Sequence, residues 1–196
     1  MCIRDSFNSA TIHGGQEPDK AYGAVMPPIY QTSTYAQSTP GGHKGFEYSR
    51  THNPTRQALE KSLASIEQGT FGFAFGSGLA AMDAVLKLLK PGDEIISTDD
   101  LYGGSYRIFT KIFEDFGLKF HFVPMHNTKL IASSINKKTK LIWIETPTNP
   151  MMNIIDIQAV VKLVKGKGIL VAVDNTFASS YICLLYTSDA ADEVVS

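Results

Sequence analysis

Short apolar runs of similar length recur along the second part of the chain, and between them apolar residues fall at helical spacing. Residues 71–75, 94–98, 119–123, 141–145 and 169–174 read as strands. Residues 79–89, 105–116, 130–135 and 157–164 read as helices. A helix between each pair of strands gives the chain room to cross back. The prediction is an α/β fold, a mostly parallel sheet with helices on both faces. In such sheets ligands gather beyond the carboxyl ends of the strands.

The first part of the chain reads differently. Residues 7–53 are rich in Gly, Pro, Ser, Thr and Tyr, and Met26-Pro27-Pro28 disfavours helix because each proline restricts the residue before it. An extended arm is expected there. Asn53 can cap a helix with Pro54 in its first position, Leu59, Leu63 and Ile66 fall on one face, and Gly69 ends it. The expected organisation is an arm over residues 7–56 and a partial large domain over 57–182.

Composition narrows the class of function. The 196 residues are 43% hydrophobic and 19% charged, enough apolar material for one sizeable core. No run approaches the ~20 apolar residues of a membrane span, and the N-terminus lacks the pattern of a signal peptide. A cytoplasmic protein is expected. The net charge of -1, with no block of Lys or Arg, provides no electrostatic footprint for nucleic acid. A small molecule or another protein is the expected partner.

Both cysteines, Cys2 and Cys183, lie in end segments unlike the rest. Residues 1–6 can be written ATG TGT ATA AGA GAC AGN. Residues 183–188 can be written TGT CTC TTA TAC ACA TCT, whose reverse complement contains ATGTGTATAAGAGACA. The two ends then resemble one transposon end read on opposite strands, so residues 1–6 and 183–196 are expected to be remnants of library preparation. Without them the chain has no cysteine, and removal of Asp189, Asp192 and Glu193 changes the formal charge from -1 to +2.

Five segments combine residues able to carry chemistry. Gly76-Ser77-Gly78-Leu79 joins a strand to a helix, where free N–H groups suit a phosphate, although a tight turn has the same composition. Tyr102, before Gly103-Gly104-Ser105-Tyr106-Arg107, could stack on a flat ring or simply precede a surface loop. Glu145-Thr146-Pro147-Thr148-Asn149-Pro150 presents an amide from a stiff strand exit; a turn accounts for Asn149 but not for Glu145. Asp174 ends an apolar strand, where a cationic ring nitrogen would offset the cost of burial; otherwise Asp174 and Thr176 are helix-capping types. Tyr48-Ser49-Arg50-Thr51-His52-Asn53-Pro54-Thr55 offers an Arg and a Tyr hydroxyl to a phosphate, or a solvated arginine. The five histidines show no metal-ligand spacing and no catalytic pairing.

In this order, and nearly continuously over residues 10–181, the segments resemble the transsulfuration (Cys/Met metabolism) family of pyridoxal 5'-phosphate (PLP) enzymes, the cystathionine synthases and lyases. The resemblance implies that Tyr48 and Arg50 bind the cofactor phosphate across a dimer interface, with Gly78 and Leu79 supplying amides. It implies that Tyr102 stacks on the ring and shuttles protons, Asn149 bonds the ring hydroxyl oxygen, Asp174 pairs with the ring nitrogen and Thr176 supports it. Arg107 and Glu145 match positions linked with substrate. It further implies a homo-oligomer, a dimer of dimers, acting on a sulfur amino acid by elimination or replacement at the β or γ carbon. Gly104 stands where methionine gamma-lyases carry a cysteine, which disfavours that branch.

The family's cofactor lysine lies in an SxTK segment beyond the aspartate, whereas no lysine follows Lys167 here. The chain as it stands is therefore expected to be inactive. The alternatives are an O-acylhomoserine sulfhydrylase or a non-catalytic PLP-binding module. A dinucleotide-binding Rossmann domain is disfavoured by the missing glycine fingerprint and ribose-binding acid.

Overall fold

The computed structural model describes residues 7–182 and the backbone of Val194–Val195; the expected end remnants otherwise lie outside the described residues. The chain divides into two compact units, residues 1–74 and 75–196.

The first unit holds α1 (Phe7–His13) and α2 (Pro54–Ile66). Asn53 caps α2 as its composition predicts: its side-chain oxygen accepts from the N–H groups of Thr55 and Arg56, and Pro54 occupies the first turn. The expected boundary between residues 56 and 57 falls inside this helix, and α1 adds a helix to the expected extended arm. Residues 71–75, expected as a strand, belong to no sheet. The Ala74 N–H donates instead to Glu60 Oε1 at 3.1 Å, and a Cβ at Gly72 would lie 2.2 Å from the Glu60 carbonyl oxygen. Alternation of apolar residues favours an extended chain, but a strand also needs a neighbour, which the pattern does not provide.

The second unit is built on a parallel sheet of β1 (Glu94–Thr98), β2 (Lys119–Val123), β3 (Thr139–Glu145), β4 (Leu170–Asp174) and β5 (Val194–Val195), in the order β2-β1-β3-β4-β5. β5 comes from the segment set aside as a remnant; its backbone pairs with Val171 and Ala172. The helices are α3 (Gly78–Leu86), α4 (Gly103–Ile108) continued by a π-helical turn at Phe109–Phe113, α5 (Thr128–Ser134), α6 (Ile157–Val164) and the short α7 (Ser179–Ile182).

Alternation along the strands divides the core between the two faces. Ile96, Ile142, Ile144, Val171 and Val173 pack with Ile131 of α5 and Val160 and Val164 of α6. On the other face Ile95, Leu141, Trp143 and Ala172 pack with Met82 and Leu86 of α3 and with Phe109 and Phe113. Full burial of one such side chain contributes about 1.5–3 kcal/mol. Helices thus cover both faces, as the pattern predicts. β1 is flanked by β2 on one side and β3 on the other, so the path reverses there, and the carboxyl ends of β1 and β3 are where such sheets receive ligands.

The amino ends of the strands carry a different cluster. Glu94 is buried and accepts from Asn136 Nδ2 at 2.8 Å, while His121 Nε2 lies 2.8 Å from the same oxygen. The Asn136 hydrogen bond, then His121, holds the Glu94 carboxyl below its ordinary value of 4.5. A depressed folded-state value means that ionised Glu94 stabilises the fold above that ordinary value and ceases to do so as pH falls through the lowered one. Glu94→Gln is predicted to lower the urea midpoint at neutral pH, with the gap to the parent chain closing in acid. A gap unchanged from pH 7 to pH 3 would contradict this account.

Candidate functional site

Pairing of β1 with β3 sets two strand exits side by side, residues 99–102 after β1 and 146–149 after β3, which ends at Glu145. Two carboxylates tie them together. Asp100 Oδ2 accepts from the Thr148 hydroxyl, from the Met151 N–H at 3.1 Å and from Asn153 Nδ2 at 3.4 Å. In the other direction, the Tyr102 N–H donates to both oxygens of Glu145 at 3.0 Å. The Thr98 hydroxyl oxygen completes the seam by accepting the Glu145 N–H at 3.1 Å.

Glu145 is only 5% exposed. Burial, reinforced by the negative charges of Asp174 and Asp100, pushes its carboxyl up to about 7, while the Tyr102 and Asn149 amides act in the opposite direction. Asp174 is its register partner across β3 and β4. The Thr176 N–H at 3.1 Å and hydroxyl at 2.5 Å both donate to Asp174 Oδ1. Oδ2 has no donor among the described residues, so one oxygen is held and the other is free for a cation.

α3 leads through a short turn into the start of β1, which directs its N-terminus toward the carboxyl ends of the strands. Ser77 caps it, its Oγ accepting from the Ala80 N–H at 3.2 Å. The N–H groups of Gly78 and Leu79 have no acceptor among the described residues, and a Cβ on Gly76 or Gly78 would meet nothing within 4 Å. Open space before free amides at a helix N-terminus suits an anion.

Tyr102 is 48% exposed. Its ring lies over Gly104, where a Cβ would come 2.3 Å from a ring carbon. Glycine at position 104 thus leaves the ring its resting place. Asn149 is partly buried and its side-chain amide has no partner among the described residues; Arg107 is exposed on α4 and in no ion pair among them. In the first unit the Arg50 guanidinium stands 5.1 Å from the Tyr48 ring centroid. Arg56 donates to the carbonyls of Ser49, Arg50 and Thr51, fixing this loop to the start of α2.

The second unit therefore gathers Tyr102, Glu145, Asn149, Asp174 and Thr176 at the carboxyl ends of its strands, with the Gly78 and Leu79 amides directed the same way. Asp100 and Thr148 escaped the sequence reading. Asp100 follows an apolar strand as Asp174 ends one, a signal that the sequence reading did not use. Among the described residues no group of His, Cys, Asp and Glu could hold a metal ion.

The free Asp174 oxygen, the free amides and the exposed tyrosine face fit a phosphorylated, cationic ring. Comparison with known proteins agrees. Residues 8–192 match the Cys/Met metabolism PLP-dependent enzyme family. The chain is 46% identical over 180 residues to cystathionine beta-lyase of Coxiella burnetii, covering 91% of this chain and 46% of that protein. It is 49% identical over 177 residues to cystathionine gamma-lyase of Sus scrofa, covering 89% and 44%. Among solved structures, metB from Corynebacterium glutamicum superposes with a TM-score of 0.87 at 46% identity, over 90% of this chain and 46% of that one. Cystathionine gamma-lyase from Lactobacillus plantarum, complexed with L-serine, gives 0.86 at 43% identity, over 90% and 46%. The chain spans about half the length of these relatives.

Because one Asp100 oxygen accepts from the Thr148 hydroxyl, the Met151 N–H and Asn153 Nδ2, Asp100→Ala should loosen the segment that carries Asn149. A loss of about 1–3 kcal/mol in urea denaturation is predicted, the range for donors left without their acceptor. Asp99→Ala is the control: an equal loss there would show that the network is not responsible.

Proposed function

Since the chain belongs to the Cys/Met metabolism family of PLP-dependent enzymes, we propose that the whole protein labilises the α proton of a sulfur amino acid and then eliminates or replaces a β or γ substituent. Cystathionine is the reference substrate, as the names of the relatives suggest. The observation that carries this reading is the pairing of an open Asp174 oxygen with free amides at Gly78 and Leu79.

Each residue has a task in this reading. Gly78 and Leu79 hold the phosphate through N–H groups that no acceptor among the described residues claims. Asp174, oriented by Thr176, holds a proton on the ring nitrogen. Bound PLP supplies the electron sink of the reaction. The Tyr102 ring stacks on the cofactor and its hydroxyl moves protons, Asn149 donates to the ring oxygen, and Arg107 lies toward the substrate.

Tyr48 and Arg50 add phosphate contacts from a neighbouring subunit of a homo-oligomer. The first unit supports that part of the reading. It buries no large hydrophobic side chain among its described residues, yet exposes Ile12, Tyr22, Val25, Met26, Ile29 and Leu59. A segment so composed calls for a second surface to cover it.

The chain as it stands should bind PLP reversibly, because it carries the residues proposed for the phosphate and the ring while no lysine follows Lys167. Trp143, the single tryptophan, lies on β3 two residues from Glu145 and reports binding. Saturable quenching of its fluorescence by PLP is predicted, weakened about ten-fold or more by Asp174→Ala, the scale of one charge-assisted pair. Borohydride followed by mass mapping should find no stoichiometric pyridoxyl adduct. Equal quenching in both proteins, or one fully modified lysine, would refute the proposal.

A further inference from the structure

We infer that Glu145 is a positioning residue, one buried carboxyl that holds the backbone beneath the Tyr102 ring and ties it to the strand exit carrying Asn149. The resemblance links this position with substrate; the geometry gives it a different task. Both carboxylate oxygens take the Tyr102 N–H at 3.0 Å, and the Asn149 backbone amide also favours the charged form. The side chain is almost fully buried, and its own N–H is anchored on Thr98. One carboxyl thus bears on the two residues assigned to the cofactor ring, from inside the sheet.

The position of Tyr102 explains why such a device is required. Tyr102 precedes α4, and its side chain makes no cap hydrogen bond there. With Gly103 and Gly104 following, the local backbone is permissive. A charge-assisted bond to a rigid strand end removes that freedom.

The groups facing Glu145 make the device sensitive to protons. Asp174 on β4 and Asp100 after β1 both carry negative charge toward it, Thr98 on β1 and Tyr102 before α4 contribute hydrogen bonds, and no ion pair among the described residues offsets it. Ionised, the carboxylate grips the Tyr102 amide; protonated, it is a weaker acceptor. The loop should therefore tighten as pH rises. Placing a cationic ring nitrogen on Asp174 relieves the repulsion and favours the gripping form, so cofactor binding and loop order reinforce one another. This last step rests on the cofactor reading; the hold on Tyr102 does not.

Amide-resolved NMR on the 196-residue chain, without cofactor, tests the hold directly. The Tyr102 amide proton should titrate with a midpoint near the value of about 7 set for Glu145. In Glu145→Gln that titration should vanish, and in Glu145→Ala Tyr102 amide exchange should speed up by about ten-fold or more, the loss of one hydrogen bond to a charged group. Asp174→Asn leaves the Glu145 carboxyl in place and removes a like charge beside it, so the midpoint should fall; this variant decides the matter if the Glu145 variants do not fold. A Tyr102 amide that titrates unchanged in Glu145→Gln, exchanges unchanged in Glu145→Ala, or keeps its midpoint in Asp174→Asn would overturn the inference. Failure to bind PLP with these responses intact would count against the proposed function alone.

Discussion

Parallel register is the constraint on which the second unit depends. Pairing Ser97 with Trp143, and Glu145 with Asp174, brings the ends of three strands level, so carboxylates far apart in sequence share one edge. Helices on both faces exclude water from the strands, and the last residues must satisfy their charges locally. Backbone N–H groups and hydroxyls from neighbouring exits do so: Tyr102 for Glu145, Thr176 for Asp174, Thr148 and Met151 for Asp100. The site is what the sheet requires to end in three acids.

That arrangement works against stability. A carboxyl whose folded-state value is raised favours the fold below its unfolded value, and the advantage is lost as pH rises through about 7. Charged Glu145 is thus a burden on folding, with hydrogen bonds that serve position more than strength. Glu94, at the other end of the sheet, has the opposite sign because the Asn136 amide and the His121 imidazole hold its charge. Two buried glutamates on neighbouring strands therefore respond to acid in contrary ways.

The fold was largely legible because apolar runs and helical spacing report burial, and burial is what a doubly covered sheet arranges. The strands ending at Thr98, Val123, Glu145 and Asp174 end where their patterns stop. Residues 71–75 were misread because alternation records which side of a segment is apolar and carries nothing about a neighbouring strand. In the site, Tyr102, Asn149 and Asp174 stood out beside glycines, prolines or apolar runs. Asp100 did not, since its role depends on Thr148, Met151 and Asn153, some fifty positions away and brought near only by β1–β3 pairing. The task of Glu145 was hidden for the same reason, its partner being a backbone N–H with no sequence signature.

The glycine under the Tyr102 ring adds a point about how such a site diversifies. The aromatic plane rests where position 104 has no side chain, and any added atom there acts as a wedge beneath it. A single small substitution could therefore tilt the surface offered to a flat ligand while leaving every acid, amide and hydroxyl in place. Selection for a new substrate would then have a mechanical adjustment available that is separate from the chemistry.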